Sequence, residues 1–271
     1  MSLADGVYAK LDRADEHFKT LHMQITAALQ GADNGVRPDP NQQPHEASLV
    51  ARVNLVPDIR WSVLIGDCLY NLRSALDHLA WQLAAKHGSG TVPNGSEFPI
   101  FRDKEKFIAC SPGGSPKPGS GLYKIRGIDP AVQVEIEEVQ PYNSVTLVEN
   151  PLFVLHELSN HDKHRLLHFV STVRGTTEMR LVITPATSGE RTITPIFSAT
   201  GPIEDGAQVV RFVMGGTAAG DKMTVEGKVM FDVAFDEGSA AGVTDQPVAE
   251  VLNQLTFRTR QLVDHFVQTA L

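Results

Sequence analysis

The sequence predicts an α+β fold, a helical bundle with an inserted antiparallel β-sheet. Three observations lead there. Stretches 5–29, 61–87 and 246–271 place apolar residues at the spacing of a helix face. Residues 178–236 instead hold runs rich in Val, Ile, Phe and Thr, cut apart by turn residues. The chain has 271 residues, 42% of them hydrophobic and 21% charged, an ordinary globular balance. That length suffices for one domain or two closely joined ones.

The first helix, Asp5 to Leu29, lines up Val7, Leu11, Ala14, Phe18, Leu21, Ile25 and Leu29. Residues 31–44 carry Gly31, Gly35, Pro38, Pro40 and Pro44 and read as a loop. Residues 47–56 alternate, with Leu49, Ala51, Val53 and Leu55 on one face, and predict an early strand. The central helix, Trp61 to His87, has a core stripe of Ile65, Leu69, Leu72, Leu76, Leu79 and Leu83, and Gly88 ends it. From Gly88 to Gly121 the composition shifts to Gly, Ser and Pro, broken by a short helix at 103–109. Within it, 111–121 reads as a lid, a crossing loop or an inert insertion. A short helix follows at Asp129–Val139, with Pro130 in its first turn. Another runs from Asn150 to about His168, as one helix or two joined at Ser159-Asn160. Strands are expected at 179–184, 192–198, 207–214 and 223–235, before a last helix at 246–271 with Val248, Leu252, Leu255, Leu262 and Phe266 as its stripe. The reading is one α+β unit over 1–271. Segments 1–175 and 245–271 form the bundle with one early strand at 47–56, and 178–236 forms the inserted strands.

A formal charge of −8 argues against a broadly basic nucleic-acid surface, though not against a local basic pocket, and no DNA-specific signature is present. Cys68 and Cys110 form no metal pattern and no disulfide framework, which points to a reduced, cytoplasmic setting. Cys68 reads as core. No apolar run approaches the roughly 18 residues of a membrane span, and the N-terminus lacks a signal-peptide run. Neither a phosphate-loop GK[ST] nor a Gly-x-Ser-x-Gly elbow occurs.

The chemistry-bearing residues gather on the second face of the central helix: Asp67, Tyr70, Asn71, Arg73, Ser74, Asp77, His78 and Trp81. A solvated face would be rich in Lys and Glu, so this one reads as covered or used. Arg73 brings a planar cation suited to phosphate, and His78 can exchange a proton near neutral pH. They lie about 140° apart around the helix, with Asp77 placed to pair with Arg73 at i,i+4. A second cluster is His161, Asp162, Lys163, His164 and Arg165. His164 and His168 have a spacing that can hold zinc, but Lys163 and Arg165 repel a cation. The cluster suits an anion better, and no metal is expected. In a purely structural reading, Lys163 and Arg165 pair with Asp67 and Asp77 and close a helix–helix interface.

Arg73, four intervening residues and His78, on the polar face of a helix in a bundle, resemble the HEPN superfamily of ribonucleases and nucleotide-binding modules. Ser74 departs from the Asn common after the Arg, and the inserted strands lie outside the minimal bundle. The wider pattern from Gly66-Asp67 to Trp81, with 160–165 downstream, also resembles a group of uncharacterised actinobacterial and phage-type proteins. The HEPN resemblance implies RNA or a nucleotide as ligand, metal-independent RNA cleavage without a cofactor, and a homodimer whose protomers each bring an Arg and a His to one cleft. Arg73 would then hold the scissile phosphate and His78 would serve the 2′-hydroxyl or the leaving group. Asn71 and Asp77 would support them, with Tyr70, Trp81 and the 161–165 cluster on the substrate side. A toxin or phage-defence role is the setting the analogy supplies. Two other readings are a non-catalytic binding or scaffold protein and a metal-dependent hydrolase built on the His cluster.

Overall fold

A computed structural model describes residues 4–43, 45–163, 169–199, 201–236, 238 and 242–271. Among these residues it is a mixed α+β fold of seven α-helices and two antiparallel sheets. The helices are α1 (Asp5–Gly31), α2 (Arg60–His87), α3 (Lys104–Phe107), α4 (Gly121–Ile125), α5 (Pro130–Glu138), α6 (Pro151–Asp162) and α7 (Val248–Ala270).

Helix α2 sits at the centre of the helical half, packed on α1, α6 and α7. Its expected stripe is buried throughout, from Ile65 to Leu83. Because it has three helical neighbours, burial spreads beyond that stripe to Trp61, Cys68, Asn71, Ala75, Ala80 and Ala84. Burial pushes the Cys68 thiol up to about 12, as expected of a core cysteine. Helix α6 approaches closely at Gly66, where an added Cβ would meet the Asp162 carboxylate at 2.6 Å. No helix among the described residues is long and apolar enough to cross a membrane.

The strands are β1 (Gly35–Pro38), β2 (Glu46–Arg52), β3 (Phe169–Thr184), β4 (Thr192–Ser198), β5 (Gly201–Pro202), β6 (Gln208–Gly215) and β7 (Lys222–Phe235). They form two sheets, ordered β1-β2-β6-β4 and β5-β3-β7, instead of the single inserted sheet expected. The 47–56 strand is shorter than expected. It pairs with β1, inside the stretch read as loop, and with β6. Alternation reveals a strand but not its partner, so these long-range pairings were not legible. Leu49, Val210 and Met214 of the first sheet face Met223 and Val225 of the second across a shared apolar layer. Further along β7, Val233 and Phe235 join the helical core, which ties the sheets to the bundle.

The helix expected from Asn150 to His168 ends at Asp162; His164, Arg165 and His168 lie outside the described residues. Residues 111–121 close a hairpin in which Ser111 N–H donates to Ser115 O and Lys117 N–H to Ala109 O. Ser120 then caps α4. A Cβ at Gly121 would lie 2.1 Å from the fully buried Phe107 ring. Gly121→Ala should therefore destabilise by about 1–3 kcal/mol through overpacking, where an unhindered helical Gly→Ala gains stability. Urea unfolding of the two proteins checks this; an unchanged or higher midpoint would refute the close packing.

Candidate functional site

Residues 98–101 lie outside every helix and strand of the described residues, and several of their backbone groups are satisfied by side chains. The Phe98 N–H donates to Asp77 Oδ1 at 3.0 Å. Arg73 Nη2 donates to the same oxygen at 2.9 Å and also to the Phe98 carbonyl. Gln140, itself buried, continues the arrangement: its Oε1 accepts from Phe101 N–H, and its Nε2 donates to Pro99 O and Ile136 O. Phe98 and Ile100 are buried as a result.

The expected i,i+4 pair of Arg73 and Asp77 thus forms, with side-chain exposures of 18% and 34%. Burial raises the pKa of Asp77 above its ordinary value, and Arg73 pulls in the other direction. Arg73 Nη1 is buried and meets no acceptor among the described residues.

Two grooves flank this tie. The first, of about 470 Å³, is lined by Asp77, His78, Trp81, Gln82 and Ser96. The second, of about 480 Å³, lies between α6 and the 100–124 stretch. It takes Ile100 and Phe101, the cations Arg102, Lys106 and Lys124, and His156 and Asn160 of α6, with Asp103 and Glu157 as its acids. Arg73 is near enough to His156 to act on its titration. Burial first, then the Arg73 charge, hold the imidazole below its ordinary pKa. The Asn160 amide nitrogen lies 2.9 Å from His156 Nε2. A donor there makes Nε2 an acceptor, in keeping with a neutral ring at pH 7.

Arg73 and Asp77 therefore come together, while His78 stands apart from Arg73. It is exposed, and a Cβ at Gly6 in the first turn of α1 would lie 3.6 Å from its Nδ1. Asn71 is turned inward and donates to the Asp67 carbonyl of its own helix. Tyr70 is 64% exposed beneath Lys10, and Trp81 is 48% exposed in the first groove. Against α2, Asp162 meets Asp67, acid facing acid. Burial first and then Asp67 raise its pKa. His17 of α1, 4.0 Å away, is the ion-pair neighbour of Asp67. Of the interface expected from Lys163 and Arg165 with Asp67 and Asp77, Lys163 is exposed, Asp77 is taken by Arg73, and Arg165 lies outside the described residues. His161 keeps a buried Nε2 with no partner there. No group of three or more His, Cys, Asp or Glu among the described residues is arranged to hold a metal ion.

Sequence patterning singles out His156 and Asn160 only as neighbours of the 161–165 cluster and does not mark the cations of the second groove. Arg102, Lys106 and Lys124 are scattered in the Gly/Pro-rich region and share no periodicity. Only the i,i+4 spacing of His156 and Asn160 offered a signal. Comparison with known family models, with curated proteins and with solved structures finds no match for the chain.

Arg73→Ala removes the guanidinium donor from Asp77, which keeps only the Phe98 N–H, and from the Phe98 carbonyl. The pair is neither fully buried nor exposed, so the expected loss of stability is about 1–3 kcal/mol. Denaturant unfolding measures it; a change under about 0.5 kcal/mol would mean the tie contributes only packing.

Proposed function

We propose that this chain binds RNA or a nucleotide through its phosphate, on a helical frame of the HEPN type, in the groove between α6 and residues 100–124. One observation carries the reading. In a chain of net charge −8, that groove sets Arg102, Lys106, Lys124 and His156 against the acids Asp103 and Glu157, with the Arg73 charge felt at His156. Arg102 and Lys106 are exposed. Lys124 reaches Glu97 at 2.7 Å but remains partly exposed. Such a local basic surface in an acidic protein fits a small polyanion better than a long duplex.

Pyrophosphate and a short single-stranded RNA are the probes. Lys124→Ala and Arg102→Ala should each weaken binding by about fivefold to tenfold, and rising salt should weaken it further. Affinity should also depend on pH. His156 has a lowered pKa, so it stays neutral at pH 7 and gains its charge only below its ordinary value of about 6.5. Phosphate binding should therefore tighten as the pH falls through the range below 6.5, and His156→Gln should flatten that rise. Titration calorimetry at several pH values reads both effects. Absence of pyrophosphate binding at low salt would sink the proposal.

A second reading is RNA cleavage. Its support is the exposed imidazole of His78 beside Asp77 in a groove of its own. In one protomer Arg73 and His78 face about 140° apart, so an active centre needs a homodimer that brings the His78 of one copy to the Arg73 side of the other. The 2′-hydroxyl would lose its proton to a base, its oxygen would attack phosphorus, and the 5′-oxygen would leave protonated. RNA should then be cut in the presence of EDTA, and His78→Ala should abolish cutting while the unfolding midpoint stays within about 0.5 kcal/mol of the parent. Intact RNA at high protein concentration, or a monomer by light scattering, would count against it.

A further inference from the structure

We infer that strand β7 is an interface for a second copy of this chain, joined edge to edge and antiparallel, with Gly227 facing its own copy on the twofold axis. The two sheets end in four edge strands, β1, β4, β5 and β7. An open edge offers N–H and C=O groups to another chain, and proline is one of the devices that blunt it. Three of the four carry one: Pro38 in β1, Pro195 in β4 and Pro202 in β5. Strand β7 is 14 residues long and has none. Among the described residues only isolated bridges at Ala234 and Phe235 pair with its far side, which leaves 222–232 without a strand there. Strand β3 also runs on past its short neighbour β5, but extra residues interrupt it within 173–175 and 176–178.

The charges along β7 are complementary to themselves. Met223 and Val225 join the apolar layer between the sheets, and Lys222, Thr224, Glu226, Lys228 and Met230 alternate with them and are exposed. Antiparallel pairing about Gly227 sets each residue against the one equally far beyond the axis. Glu226 then faces Lys228 of the partner subunit, Lys222 faces the partner's Asp232, and symmetry forms each pair twice. On the inner face Val225 meets the partner's Val229. Neighbouring registers all set like charges directly opposite, which destabilises pairing. Centring on Glu226 or Lys228 opposes that residue to its own copy. Centring on Val225 opposes Lys222 to the partner's Lys228, and centring on Val229 opposes Glu226 to the partner's Asp232. Gly227 presents no side chain at the axis, which suits a close approach of the two backbones. A residue inside a sheet has cross-strand neighbours on two sides, so the contacts that Lys228 and Asp232 already make within the chain are compatible with this pairing.

This interface shares no residue with the phosphate groove, so either can fail without the other. It is small, and a dissociation constant on the order of 10–100 μM is expected. Sedimentation velocity on the full chain reads it across that range at about 150 mM salt. Glu226→Lys and Lys228→Glu each put two like-charged pairs across the axis, and each should weaken the dimer about tenfold. The two variants complement one another, since in a mixed dimer the lysines of one chain face the glutamates of the other. An equimolar mixture should therefore associate at least as tightly as the parent, which a fold defect in either variant could not produce. Unfolding midpoints check that both are folded. Lys222→Glu, at the exposed end of the strand, is a further probe and should weaken the dimer about fivefold through the partner's Asp232. Three results would each overturn the inference: a parent chain still monomeric at about 0.5 mM, single variants that dimerise as tightly as the parent, or a mixture that associates no better than its components.

Discussion

The arrangement of both grooves depends on how residues 98–101 satisfy their backbone. The segment lies outside every helix and strand of the described residues and is largely buried. Each buried N–H and C=O left unpaired would cost on the order of 1–3 kcal/mol. The Arg73–Asp77 pair and Gln140 provide what a neighbouring strand otherwise would: a donor and an acceptor at Phe98, and again at Pro99 and Phe101. An ion pair taken this far out of water is a poor stabiliser on its own account, because desolvation offsets most of the attraction. The raised pKa of Asp77, with burial as its leading cause, reflects that opposition. The pair is better understood as holding the backbone of this segment in place, and Ser96 at one end and Ile100 and Phe101 beyond it then line the two grooves.

The second face of α2 is thereby divided among several uses. Arg73 and Asp77 are held by the tie, and Asn71 belongs to the core. Asp67 faces Asp162, with His17 as a weakly placed cation when protonated. Tyr70, His78 and Trp81 remain exposed. Among the described residues Asp67 and Asp162 meet as two acids, and the Arg165 half of the expected pairing lies outside them. The acid-against-acid contact at Asp67 and Asp162 works against close packing there, and Gly66 permits the approach only by having no side chain. The complementary cations lie instead in the loop-rich stretch between the two helices.

The sequence revealed what depends on local periodicity. The core stripe of α2, the i,i+4 pair of Arg73 and Asp77, and the β-rich texture of 178–236 are all properties of neighbouring residues. What it hid are pairings across distance. Phe98 is 21 and 25 residues from its two side-chain partners, and the Gln140 bonds to Phe101 and Pro99 span 39 and 41. Strand β2 likewise finds β6 more than 150 residues later. Three-neighbour packing also changed the meaning of the α2 wheel. A helix with one buried stripe would have left Asn71 at the surface, whereas contact with α1, α6 and α7 turns it inward.

The two grooves differ in the chemistry they offer, and the difference bears on what one ligand can satisfy. The groove beside α6 supplies cations and an imidazole, which call for an acceptor-rich, anionic group. The groove over Trp81 supplies an aromatic face, an imidazole and the Asp77 carboxylate. The segment between the grooves is fixed to α2 through Arg73 and Asp77, one residue facing His156 electrostatically and the other lining the Trp81 groove. Loss of the Arg73–Asp77 tie would therefore disturb the linings of both grooves, although a bound phosphate need not touch Arg73.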